Sequence, residues 1–216
     1  MGAVLATGIG WAVWFGVAWV SYGHPAPQPG GSLVDQVMPD YDVAERHEVT
    51  VAAPAEVTYA AALDVDLERA AVIHAVFAGR RLLLPHTDAA AAQLTLAQLE
   101  SIGWARLAET RGREVVFGAV TQPWRGDVRF EPLPCDAFVA FTRPGYVKIV
   151  WTLAVDSLGP ARSRFRTETR VIATDAGSRA QFRRYWAALS PGIVLIRWQA
   201  IHLVRADAQR RWRAAS

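Results

Sequence analysis

Residues 43–59 read VAERHEVTVAAPAEVTY, and the way this stretch changes period decides the fold. From Val43 to Val51 the pattern has a period of two. Val43, Glu45, His47, Val49 and Val51 face one way, and Ala44, Arg46, Glu48 and Thr50 the other, as in a strand with one mostly apolar face. Pro54 then opens a helix, because proline's fixed φ and missing N–H suit a first helical turn.

Downstream, residues 55–63, 67–83 and 89–102 read as helical, with Gly103 as the stop. The pattern then returns to period two over 104–109, 114–121, 127–133, 146–155 and 163–173, with turn residues between. With the first strand, six strands are expected. On the last, Phe165, Thr167, Thr169 and Val171 point inward, and Arg164, Arg166, Glu168 and Arg170 form a solvated outer row. The final element is one long helix capped by Asp175. Its stripe is Phe182, Tyr185, Trp186, Leu189, Ile193, Ile196, Ala200, Leu203 and Val204, with Pro191 interrupting it. A second row, Val194, Trp198 and Ile201, calls for a partner: either the helical material of 67–102 or a bilayer interface. Local hairpins imply an antiparallel sheet, and the long helix can cover its apolar face.

The strand followed by Ala52-Ala53-Pro54-Ala55-Glu56-Val57-Thr58-Tyr59 resembles the START-like superfamily, in particular its polyketide cyclase/dehydratase-like (SRPBCC) branch. The resemblance covers about residues 40–212. It implies an α+β helix-grip fold, a curved antiparallel sheet wrapped around the long C-terminal helix with an apolar cavity between. Members of the family bind lipids, sterols, polyketides or other hydrophobic molecules, and a minority are enzymes. The chain departs from the family in its six strands, where seven are usual, and in three helical stretches after the first strand, where two are usual.

The other end of the chain carries a different signal. Residues 1–34 contain no Asp, Glu, Lys or Arg, and residues 3–22 read AVLATGIGWAVWFGVAWVSY. A charge-free run of about 20 residues matches a bilayer core. Residues 1–22 are therefore expected to form a single transmembrane helix, 23–38 a Pro/Gly-rich tether, and 39–212 the helix-grip domain. A cleaved secretory signal is the competing reading, since Ser21-Tyr22-Gly23 has small-x-small spacing; against it, no positive charge precedes the apolar run. Orientation is not encoded, because the first basic residue is Arg46.

Charge is strongly segregated, −6 over residues 35–159 and +9 over 160–216. The basic tail spreads its arginines around a helix, which does not make a nucleic-acid face. The one cysteine, Cys135, excludes a disulfide framework. His24, His47, His74, His86 and His202 lack metal-ligand spacing, and no nucleophile or phosphate-loop motif occurs, so no metal or cofactor is expected. No residue is assigned a catalytic role.

Glu45 and His47, two apart on one strand face, are the polar candidates: a cavity pair able to orient a ligand or move a proton. The simpler reading of the pair is an inert contact at a wet rim. Phe117, Trp124, Trp151, Thr167, Thr169, Tyr185, Trp186 and Leu189 complete the expected ligand-binding set, though core packing draws on the same residue types. The function expected is a membrane-tethered binding or transfer module for a hydrophobic small molecule or lipid. The alternatives are a cyclase/dehydratase-type enzyme using Glu45 and His47, or an interaction module with a filled interior; no protein partner is indicated.

Overall fold

In the computed structural model the described residues are 2–24, 30–64 and 96–215. The helical stretch 67–83, most of 89–102, His74, His86 and the prolines of 25–29 lie outside them. The element order is α1 (Gly2–Ser21), α2 (Leu33–Val37), β1 (Val43–Val51), α3 (Ala55–Leu63), α4 (Leu96–Ser101), β2 (Ala105–Thr110), β3 (Glu114–Thr121), β4 (Phe130–Glu131), α5 (Cys135–Ala140), β5 (Val147–Gly159), β6 (Arg162–Ala173) and α6 (Ala176–Ala215). All the described strands join one antiparallel sheet in the order β1-β6-β5-β3-β2, with β4 on β3. The architecture is α+β, a curved six-stranded antiparallel sheet with a long C-terminal helix.

The period-two reading of the strands holds because register carries it across the sheet. Val49 of β1 stands opposite Phe165, and Phe165 opposite Val155. These inward residues join Val51, Val115, Phe117 and Leu153 in a core closed by Ile201, Val204 and Ala208 of α6. Gly103 ends α4 with φ +99°, a conformation that favours glycine. A Cβ there would lie 2.2 Å from the Phe130 carbonyl oxygen.

The outer face departs from expectation. Arg170 is only 1 % exposed and Glu168 is buried beside it. The guanidinium of Arg170 donates to Glu168 at 2.6 Å, to Asp35 at 2.6 Å and to the Met38 carbonyl at 2.8 Å, and stacks 4.5 Å from the Tyr41 ring centre. The cause is α2, which lies in the stretch read as the end of the tether. Its Val34 and Val37, with Met38, pack on Leu107, Val116, Val120, Phe138 and Val150. Buried Glu114 accepts the Leu33 N–H at 3.1 Å, at the first turn of α2. The outer row is therefore solvated only at its Arg164 end.

Asp175 caps α6 as its sequence suggests, accepting the Gly177 and Ser178 N–H groups at 2.7 and 3.0 Å. The Ser178 hydroxyl and the Gly145 N–H also bind this carboxylate and hold it well below the usual carboxylate range. Pro191 is accommodated within a continuous 40-residue helix. The helix buries Phe182, Trp186, Ser190, Ile201 and Val204 along one side. Ile201 thus belongs to the sheet-facing side and not to a second row, while Trp198 remains 55 % exposed with His202 edge-on at 4.4 Å.

Along its first half, α6 is flanked by α1. The Trp14 indole N–H donates to the Ser190 hydroxyl at 2.9 Å. Arg183 donates to the Trp19 carbonyl and lies 4.2 Å from a Trp19 ring centre. Ala18 and Tyr22 join Val43, Val171, Phe182 and Trp186 in a second core group. One described helix, α6, is long and apolar enough to cross a membrane by length and composition, a measure that a core helix also meets.

Candidate functional site

The inward parity of β1 and the sheet register assemble a row across four strands. Glu45 stands opposite Thr169 of β6, Thr169 opposite Trp151 of β5, and Trp151 opposite Phe117 of β3. One step along, His47 stands opposite Thr167, and Thr167 opposite Leu153. Thr167, Thr169, Trp151 and Phe117 are buried, and Glu45 and His47 half-buried. The row is polar at the β1 end and aromatic at the β3 end.

The residue that sequence reading missed is Arg197. On α6 the positions Phe182, Trp186, Ser190, Ile193, Arg197, Ile201, Val204 and Ala208 follow one another at intervals of three or four, which places them on one side of a helix. Arg197 occupies one position of that series and is half-buried. Its guanidinium carbon lies 4.4 Å from a ring centre of Trp151, within cation–π range. The unbroken spacing was the available signal; it was masked by assigning Ile201 to a different row.

The electrostatics follow from enclosure. Burial raises the Glu45 carboxyl above its ordinary range, and the Arg197 charge partly offsets this. Burial and Arg197 both lower the His47 imidazole, so it is neutral at pH 7. Burial pulls Arg197 down to about 10, with Glu45 opposing, so it stays charged at pH 7.

Hydrogen bonding at the row is incomplete. The Trp151 indole N–H donates to the Thr167 hydroxyl at 2.6 Å. The Thr169 Oγ1 and His47 Nε2 atoms are buried and have no hydrogen-bond partner among the described residues. His47 Nε2 lies 3.8 Å from Glu45 Oε2, too far for a hydrogen bond. Buried polar atoms are nearly always satisfied, so two orphans on one short row call for an explanation.

The remaining expected residues sit elsewhere. Trp186 is buried near Val43 and Val147, with Tyr185 and Trp124 against the same group. Phe182 bridges Tyr185 and Trp186 at ring-centre distances of 5.8 and 6.0 Å. Leu189 is half-buried on α6 and belongs to neither aromatic group. Two open grooves lie outside the row. One of about 310 Å³ is lined by Thr50, Arg162, Arg205 and Gln209, and another of about 590 Å³ by Gln122, Arg125, Arg129 and Tyr146. Among the described residues no cluster of His, Cys, Asp and Glu has metal-binding geometry.

No family model matches the chain, and no curated protein matches it. Among solved structures, the Zhui aromatase/cyclase from a Streptomyces species is similar at 16% identity, covering 81% of this chain and 98% of that one, with a TM-score of 0.29. A hypothetical protein from Helicobacter pylori is similar at 10% identity, covering 85% and 98%, with a TM-score of 0.36. The di-domain aromatase/cyclase BexL gives 14% identity, 77% and 46% coverage, and a TM-score of 0.29. These superpositions are loose, and the architecture rests on the sheet and helix described above.

Proposed function

We propose that this chain is a membrane-tethered binding or transfer module for a hydrophobic small molecule or lipid, held between the sheet and α6. The observation that carries the reading is the pair of buried, unpartnered polar atoms, Thr169 Oγ1 and His47 Nε2, on a row otherwise walled by Trp151 and Phe117. A bound molecule with a polar end supplies the missing partners, and its apolar body lies against the aromatic end. Membrane attachment is supported by α1, whose 20 residues carry no charge and span about 30 Å at 1.5 Å per residue. Its outward side exposes Val13, Val17 and Val20, Trp11 and Trp14 are partly exposed along the edge bonded to α6, and α6 adds Leu195 and Trp198.

Docked along α6, α1 offers lipid only this outward side. A spanning α1 would have to leave α6 and uncover the side of the helix it now protects. The decisive experiment is organic extraction of the full chain, purified in detergent, followed by mass spectrometry of the extract. A stoichiometric apolar molecule supports the module; an empty extract from a folded protein overturns it.

A cyclase/dehydratase-type enzyme is the second reading, favoured by the 3.8 Å approach of His47 to Glu45, a neutral imidazole beside a carboxyl of raised proton affinity. It requires turnover that disappears in His47→Ala.

A further inference from the structure

We propose that the molecule held between the sheet and α6 carries an acidic group, a carboxylate or its equivalent, and that Arg197 is the residue that recognises it. The inference rests on the binding reading above and adds the chemical class of the ligand.

Arg197 stands on the sheet-facing series of α6 between Ile193 and Ile201, where every neighbour in the series from Phe182 to Ala208 except Ser190 is apolar. A guanidinium does not give up its proton in a protein, so it cannot escape burial by becoming neutral. An enclosed charge is retained only when it is paired. Yet among the described residues no carboxylate lies within 4.0 Å of Arg197 in an ion pair. Glu45 balances the charge from a distance without reaching it. Its cation–π contact among the described residues is with the Trp151 ring. That contact holds the guanidinium at the ring, and no hydrogen bond among the described residues takes up its N–H groups, which suit the planar, bidentate contact that carboxylates make. Contrast Arg170 on the other side of the sheet, whose donors are met by Glu168, Asp35 and the Met38 carbonyl. The same fold thus completes the buried Arg170 from its own chain and leaves the half-buried Arg197 open, beside a threonine hydroxyl and an imidazole nitrogen that are open too.

The test compares two probes with the same ring system, 2-naphthoate and 2-naphthol, by calorimetric titration of the full chain in detergent at pH 7.4, with protein-free micelles as the blank. The expected result is at least tenfold tighter binding of 2-naphthoate, falling to within twofold of 2-naphthol in Arg197→Gln. Equal binding, or preference for 2-naphthol, in the unaltered chain overturns the inference, as does a preference that survives Arg197→Gln. If Arg197→Gln does not fold, Arg197→Lys decides. It keeps the charge and loses the fork, so the preference should fall at least threefold, and an unchanged preference overturns the assignment. Binding of neither probe by a chain whose extract contains a lipid overturns the acidic ligand alone. Binding of neither probe with an empty extract overturns the binding module as well.

Discussion

Trp14 and Ser190 meet side chain to side chain at 2.9 Å, 176 residues apart, where α1 crosses the middle of α6. The contact lies one residue before Pro191, where the missing proline N–H already weakens the helical ladder. Ser190→Ala removes the acceptor and should weaken docking of α1 by about 0.5–1.5 kcal/mol. Amide hydrogen exchange is the measurement: exchange over 10–21 should quicken while the sheet strands stay protected. Unchanged protection of α1 would show that the contact contributes nothing to docking.

Removing Arg170 should be costly. Arg170→Met leaves buried Glu168 with only Arg46, 3.8 Å away, and half-buried Asp35 without its cation, at about 3–5 kcal/mol. Urea unfolding followed by far-UV circular dichroism would read the loss. A change below 1 kcal/mol would mean that water reaches the network.

Trp151→Ala should cost about 3–5 kcal/mol, because the indole is buried, bonded to Thr167 and packed on Phe117 at a ring-centre distance of 6.4 Å. The same denaturation experiment checks it. A cost under 1.5 kcal/mol would identify the indole as a cavity wall with little packing behind it.

Stability should fall as pH drops through the ordinary histidine range. The folded state holds His47 below its usual 6.5, so from about pH 6.5 downward the unfolded chain binds a proton that the folded chain resists. The facing groups set the limits of this effect. Arg197 of α6 keeps its charge throughout, and Thr167 and Thr169 of β6 do not titrate. Glu45, with its raised pKa, takes up its proton more readily in the folded state and works in the opposite sense at lower pH. The Tm should therefore decline between pH 7.5 and 5.5, and His47→Asn should flatten the decline. An identical slope in the variant would remove His47 as its source.

Removing residues 1–34 should not leave a fully stable domain, although their lack of charge invites that deletion. Val34 is fully buried on the outer face, and Tyr22 and Ala18 pack on the Phe182–Trp186 group. The truncated chain should show a lower Tm than a version cut only before residue 10. Equal Tm values would mean that α1 and the start of α2 are dispensable.

The inner face of the sheet was legible because alternation there is strict. Each of Val43, Val49, Val51, Phe165, Val171 and Leu153 has the parity that its strand pattern assigns. The outer face was not, because Arg170 and Glu168 read as solvent-facing until α2 is known to cover them. A five-residue helix behind a run of prolines and glycines leaves little periodic trace. At the candidate site Glu45 and His47 were readable from parity, and Thr167 and Thr169 from the same rule on β6. Arg197 was hidden by its charge, which assigns it to a surface that its position on α6 contradicts.

Asp42 takes the half-buried Ala173 N–H at 2.9 Å and the Arg179 guanidinium at 2.6 Å, while its own carbonyl takes the Gly23 N–H at 2.9 Å. The last turn of α1, the end of β6 and the start of α6 are thereby fastened at one point. Any departure of α1 from α6 becomes a swing about Gly23, where φ is +81°. On a lever of about 30 Å a 10° swing carries the far tip about 5 Å. The first helix is thus hinged to the domain at a fixed corner, and a force applied at its tip is delivered to the strand end beside Val43 and to the first turn of α6.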